Sequence, residues 1–253
     1  MQFLFGSGVF WGTPLQDASG NSIANPTPVQ LGVMQDISID ISFDTKELYG
    51  QSQFPVAVGR GKGKMAGKAK VAQVSGAAMN SLFFGQTTTA GITSDYYDQT
   101  GQLIPTTPFT VTVTPPNTGT FAYDLGVRNA NGNPLTRVAS APTAGQYSLA
   151  GAVYTFAAAD AGNQVFISYQ YTGTSTTAVK STVANLLMGQ APTFKGDLFL
   201  PYGGKTLILT IPKCIASKFM IATKQDDFVI PEFDFMGFAD SAGNALYWAV
   251  SEQ

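Results

Sequence analysis

Alternating apolar and polar residues predict a strand near the start of the chain. From position 36 to position 43, isoleucine or phenylalanine occupies every odd position, and aspartate or serine occupies every even one. This period of two is typical of a strand with one buried and one solvent-facing side. We therefore expect a strand over residues 33–43, with Asp36 and Asp40 side by side on its solvent-facing side.

A second long strand is predicted over residues 55–74, with its cations on one side. From position 59 to position 69 the odd positions hold glycine, methionine or alanine. Glycine within a strand often marks a bulge or the close approach of another segment, so we expect the odd side to be buried. The even side carries five of the chain's 14 cations, namely Arg60, Lys62, Lys64, Lys68 and Lys70.

The composition of the chain changes twice after these strands, and the predicted elements change with it. Residues 75–84 are predicted to form a short helix, with Ser75 as its N-cap and Gly85 as its stop. From there to position 177 the chain is rich in threonine and in turn residues, which predicts about five short strands in a small β-sandwich. Charged alternating segments resume after Lys180. The predicted fold is mainly β, with a discontinuous core domain (residues 1–88 and 178–253) and an inserted, immunoglobulin-like β-sandwich domain (residues 89–177).

Composition excludes several classes of enzyme. The sequence has no histidine and a single cysteine, Cys214, which excludes catalytic triads containing histidine, zinc sites built on histidine or on several cysteines, and an internal disulfide. We expect Cys214 to be a buried, small apolar residue. The chain is predicted not to be an enzyme, and to hold no metal and no cofactor.

The net charge and the hydropathy of the chain argue against a protein that wraps nucleic acid or inserts into a membrane. A net charge of −2 and a pI near 5.0 do not fit a protein that wraps nucleic acid. The N-terminal residues lack the basic segment of a signal peptide, and no apolar run approaches the roughly 18 residues of a membrane span. We therefore expect synthesis in the cytoplasm and no membrane insertion.

The charged clusters admit more than one interpretation. Three acidic pairs would suit a glycosidase, although solvated surface charge is the simpler explanation; they are Asp226–Asp227, Glu232–Asp234 and Asp36–Asp40. The cation row either contacts DNA phosphates or pairs with carboxylates of a neighbouring subunit or of the preceding strand. We favour pairing, and the acids of the preceding strand are Asp36, Asp40 and Asp44.

Three ordered blocks of sequence fall within the predicted core domain. Residues 44–70 run through a TKELYG turn, the tripeptide FPV and the strand of glycines and lysines, and a short helix ending in LFFG follows. The other blocks are LMGQAPTF at 187–194 and DFVIPEFDFMGFAD at 227–240. Taken in this order, the blocks resemble the tail tube (major tail) proteins of tailed bacteriophages.

The resemblance implies a structural virion protein with a β-sandwich or barrel and a flanking helix. Its copies would form hexameric rings that stack into a tail tube, through which DNA passes during ejection. Its partners would be further copies of itself and the tape measure, tail terminator and distal tail proteins. Asp36 and Asp40 are candidates for the tube lumen. Candidates for the subunit interface are Leu48, Tyr49, Phe54 and the five cations Arg60, Lys62, Lys64, Lys68 and Lys70.

A second interpretation belongs to another class of protein. The chain would then be a β-sandwich adhesin or a virion decoration protein, whose inserted domain binds host glycans or the capsid.

Overall fold

The computed structural model describes residues 5–73, 75–175 and 177–251. Strands make up 53% of the chain and helices 5%, so the predicted mainly β class is confirmed. The strands, in chain order, are β1 (Val9–Gln16), β2 (Val29–Gln30), β3 (Met34–Tyr49), β4 (Pro55–Val71), β5 (Thr88–Ala90), β6 (Ile92–Tyr96), β7 (Gln102–Leu103), β8 (Thr110–Thr112), β9 (Thr120–Asn129), β10 (Thr136–Arg137), β11 (Gln146–Ala150), β12 (Val153–Phe156), β13 (Gln164–Gly173), β14 (Val179–Ser181), β15 (Thr193–Tyr202), β16 (Lys205–Met220), β17 (Glu232–Phe238) and β18 (Tyr247–Val250).

The chain divides into two compact units. Unit 1 comprises Met1–Thr87 together with Ser181–Gln253, and unit 2 comprises Thr88–Lys180. The predicted boundaries, at residues 88 and 178, lie within three residues of these. Strands β5 and β14 pair with each other where the chain enters and leaves unit 2. The two ends of unit 2 are therefore adjacent.

Unit 1 is built on one eight-stranded sheet. Its strand order is β2-β1-β15-β16-β17-β4-β3, and β18 also pairs with β16. The rings of Phe10 on β1 and Phe235 on β17 lie 5.4 Å apart, although a flat sheet would separate these strands by about 14 Å. The sheet therefore curls around its own apolar core. None of the sheets among the described residues closes into a barrel.

A short helix packs on the core of unit 1. Helix α1 (Gly76–Met79) begins after Ser75, whose hydroxyl accepts a hydrogen bond from the Ala78 N–H at 3.3 Å. A π-helical turn, Asn80–Phe84, continues it and ends at Gly85 with a φ of 59°. The predicted cap and stop are therefore confirmed, whereas the π-helical geometry was not predicted.

Unit 2 contains two four-stranded sheets around a core of its own. One sheet has the order β10-β11-β12-β8, and in the other β13 pairs with β6, β7 and β9. Side chains from both sheets form one apolar cluster that includes Tyr154, Phe156, Val165 and Ile167. Two sheets that share one core are typical of a β-sandwich.

Candidate assembly surface

The hairpin of β3 and β4 extends beyond the rest of the sheet. Strand β17 pairs with β4 only between Met65 and Lys70, so residues 42–64 form a two-stranded segment that we call the ribbon. Every ribbon residue is exposed except Pro55, which is half-buried. Strand β3 is also the last strand of the sheet, so its outer edge has no partner strand among the described residues.

Apolar side chains are concentrated toward the tip of the ribbon. The turn lies at residues 50–54, because residues 45–49 belong to β3; the turn predicted at TKELYG was therefore wrong. Leu48 is 63% exposed and Phe54 is 80% exposed. Val56 and Val58 are also exposed. Val58 is opposite Glu47 in the register and Leu48 is opposite Ala57, so Leu48 and Val58 lie on opposite sides of the ribbon. Tyr49 is exposed too, and its hydroxyl donates to the Glu47 carboxylate, a hydrogen bond that raises the pKa of Tyr49.

A β-bulge changes the direction of one predicted interface residue. The register pairs Phe43 with Gly63 but Thr45 with Arg60, so β4 has one more residue than β3 between these pairs. Such an extra residue reverses the side to which the following side chains point. The Arg60 guanidinium therefore lies over the Phe43 ring, 4.5 Å from its centre. The prediction that Arg60 shares a side with Lys64, Lys68 and Lys70 was wrong, and Lys62 lies within the bulge.

The cations of β4 do not pair with the acids of β3. Asp36 is opposite Lys70 in the register, but the Lys70 Nζ lies 3.6 Å from a carboxylate oxygen of Glu232 on β17. Lys218 binds the other oxygen of Glu232 at 3.7 Å. Within residues 5–73, 75–175 and 177–251, the ion pairs include none from Lys62, Lys64 or Lys68. The predicted pairing with the preceding strand was therefore wrong for Lys70, which pairs with Glu232 of β17 instead.

The glycines of β4 have different neighbours. A Cβ added at Gly67 would overlap the ring of Phe235, and one at Gly63 would lie 3.0 Å from the ring of Phe43. At Gly59 the same atom would meet nothing within 4 Å. We predicted that another segment covers the glycine side of β4. At Gly67 this segment is β17 of the same chain, whereas the end of the glycine side at Gly59 is uncovered.

The acidic candidates lie on the side of the sheet that faces away from the core. Asp36 and Asp40 are exposed on β3, and Asp40 is opposite Ala66. Glu232 and Asp234 are half-buried on β17, opposite Lys70 and Lys68. This side of the sheet therefore mixes both signs of charge.

A second apolar surface, on β1, β15, β16 and β18, was not identified from the sequence. The register aligns Trp11, Asp197, Thr210 and Tyr247 across the four strands, and Phe199 is opposite Ile208 in the next row. We call the exposed residues Trp11, Phe199, Ile208 and Tyr247 the outer patch; each is 37–47% exposed. Only the pairing of distant strands brings them together, so no local signal reveals the patch.

The single cysteine of the chain lies in the core of unit 1. Cys214 is fully buried as predicted, and burial raises the pKa of its thiol to about 12. The part of the chain that the structure describes has no group of three or more histidine, cysteine or acidic side chains suited to a metal. No helix among these residues is long and apolar enough to cross a membrane.

The sequence matches no protein-family model and none of the curated proteins.

Proposed function

We propose that this chain is a structural subunit of a bacteriophage tail, which assembles into stacked hexameric rings that form the tail tube. The observation that carries the proposal is the ribbon. An isolated two-stranded hairpin is marginally stable in water, and this one exposes Leu48, Phe54, Val56 and Val58. Because Leu48 and Val58 lie on opposite sides of the ribbon, contact with neighbouring subunits on both sides would bury these side chains and support both strands.

The chain offers surfaces for contact between different sites on neighbouring copies. Rings and stacks require such heterologous contacts, because each subunit must present one surface to the copy before it and another to the copy after it. The ribbon and the free edge of β3 are one kind of surface, and the outer patch is another. Exposed apolar patches of this kind mark interaction sites in soluble proteins.

Charge supports the same assembly. The ribbon carries four cations and two acids, whereas the whole chain has a net charge of −2. A basic ribbon on an acidic chain favours contact with acidic surfaces of other copies. Asp36 and Asp40 remain candidates for the lumen, where negative charge would weakly repel the phosphates of passing DNA.

Electron microscopy of the purified full chain tests the proposal. We expect rings or tubes at high protein concentration. Leu48→Asp should lower their yield by about tenfold or more, because it introduces an unpaired charge into a contact that must exclude water. The matched control is Leu103→Asp in unit 2, because Leu103 is 65% exposed and Leu48 is 63% exposed.

Two outcomes would contradict the proposal. One is a chain that stays monomeric at high concentration, and the other is an equal loss of assembly in both variants. Circular dichroism of each variant separates lost assembly from lost folding.

A further inference from the structure

A groove of about 530 Å³ lies on the side of β6, β9 and β13 that faces away from the core of unit 2. It lies entirely within unit 2 and does not involve the ribbon. Its volume is within the range of ligand sites in proteins, which combine apolar walls with a few fixed polar groups. The residues on which the argument rests are Asp95, Tyr97, Leu125, Arg128, Pro134 and Ser168.

Ser168 lines the groove and has an unpaired hydroxyl. Along β13, Val165, Ile167 and Tyr169 point into the core, so Ser168 points to the opposite side, where the groove lies. Ser168 is only 8% exposed, and its Oγ has no hydrogen-bond partner among the described residues. Buried hydroxyls nearly always have a partner, so this one is a candidate for a ligand contact.

A buried carboxylate shapes one wall of the groove. Between Asp124 and Gly126 the register of β9 against β13 shifts, which leaves Leu125 as an extra residue beside Ser168. The Asp124 carboxylate fixes this bulge by accepting the Gly126 N–H at 2.9 Å. It also accepts the hydroxyls of Tyr147 at 2.7 Å and Tyr154 at 3.0 Å. Burial, together with the Asp124 charge, raises the pKa of both tyrosines, so both hydroxyls remain protonated donors.

A second buried carboxylate anchors the opposite wall. Asp98 follows Tyr97 and accepts backbone N–H groups of Gly101 at 2.9 Å and of Ile167 at 3.1 Å. Burial by itself would raise the pKa of Asp98, but these hydrogen bonds and those from Thr100 lower it below its usual value. The Arg128 guanidinium lies 4.7 Å from the centre of the Tyr97 ring. The hydrogen bonds of Asp124 and Asp98 therefore fix the backbone of both walls, so the groove has its shape before a ligand binds.

The groups in the groove match the chemistry of a sugar. Arg128 covers one side of the Tyr97 ring, so a pyranose would stack its C–H side on the other side of this ring, and the Arg128 guanidinium offers N–H donors. The Asp95 carboxylate, which accepts a hydrogen bond from Gln170 at 2.9 Å, offers acceptors for hydroxyls. Leu125 and Pro134 provide an apolar surface suited to the methyl group of an acetamido substituent. We propose that this groove binds an oligosaccharide that contains N-acetylhexosamine units.

Saturation-transfer NMR and titration calorimetry on the full chain test this proposal, which does not depend on tube formation. The probe is chitotetraose, and the comparison probe is maltotetraose, which lacks acetamido groups. We expect chitotetraose to bind and maltotetraose to bind more weakly. Tyr97→Ala should lower the affinity by about tenfold, whereas Tyr202→Ala, which removes an exposed tyrosine of unit 1 outside the ribbon and the outer patch, should leave it unchanged.

Ser168→Ala distinguishes a ligand contact from a structural role. We expect this variant to melt at a higher temperature, because it removes a buried hydroxyl without a partner, and to bind chitotetraose more weakly. Unchanged affinity in Ser168→Ala would contradict the assignment of that hydroxyl.

Three results would overturn the proposal as a whole. They are failure of the wild-type chain to bind either sugar, binding of maltotetraose as tight as that of chitotetraose, and binding of chitotetraose by Tyr97→Ala as tight as by the wild type. Loss of self-association in Tyr97→Ala, measured by sedimentation, would instead identify a second copy of the chain as the occupant.

Discussion

The glycines of β4 have separate physical roles, although they form one regular row in the sequence. Gly67 lies under the Phe235 ring, and that ring also contacts Phe10 and Phe194 in the core. Absence of a side chain at Gly67 therefore allows β17 to bring Phe235 inward. Gly59 lies in the ribbon with open space around it.

Gly67→Ala should destabilise unit 1, whereas Gly59→Ala should not. The added methyl group at Gly67 forces the Phe235 ring to move, and overpacking of this kind costs about 1–3 kcal/mol. At Gly59 the methyl group has room, and its effect on the unfolded chain favours folding by about 0.4–1 kcal/mol. Urea denaturation at low protein concentration measures both changes. An equal effect at the two positions would contradict the packing at Gly67.

At the scale of elements, the sequence predicts strands better than it predicts their partners. Period-two alternation identified β3 and β4, and Ser75 and Gly85 located the helix, because these signals are local. The side on which Arg60 lies could not be predicted in the same way. Alternation continues unbroken to Gly59 in the sequence, and the bulge exists only in the register of β4 against β3.

The candidate surfaces, like the strands, could be predicted only where the signal is local in the sequence. The cation row is visible in the sequence, but Glu232, the partner of Lys70, comes from a strand about 160 positions later. Ser168 carries no motif, and it is distinctive only because its hydroxyl is buried and has no hydrogen-bond partner among the described residues. Alternation in the sequence therefore predicts which residues share one side of a strand, but it does not predict which residues of distant strands they contact.

Two of the four cations of the ribbon, Lys62 and Lys64, provide a prediction at this scale. The double variant Lys62→Glu, Lys64→Glu should change the free energy of unfolding by less than about 0.5 kcal/mol, because neither lysine has an ion pair among the described residues. It should reduce assembly several-fold, and more strongly at low salt, if the ribbon contacts acidic surfaces of other copies.

Sedimentation across a range of salt concentrations measures this effect. Lys205→Glu, at the first residue of β16, is the control for a charge change outside the ribbon. Normal assembly of the double variant at low salt would remove the charge argument for the ribbon.

At the scale of the whole molecule, we expect that unit 2 can be removed without exposing the core of unit 1. The two apolar clusters have no residue in common, and the chain enters and leaves unit 2 through the paired strands β5 and β14. The Gly91 N–H donates to the Ala178 carbonyl at 3.0 Å. A two-residue Asn-Gly turn between these residues therefore suits the hairpin that would replace residues 92–177.

We expect the shortened chain to fold and to form the same rings or tubes as the full chain, because the ribbon and the outer patch both belong to unit 1. It should also lose all binding of chitotetraose, because the groove belongs to unit 2. Electron microscopy and calorimetry on the same preparation separate the two activities. A folded, shortened chain that fails to assemble would assign an assembly role to unit 2, and the ribbon would then not be sufficient for contact between copies.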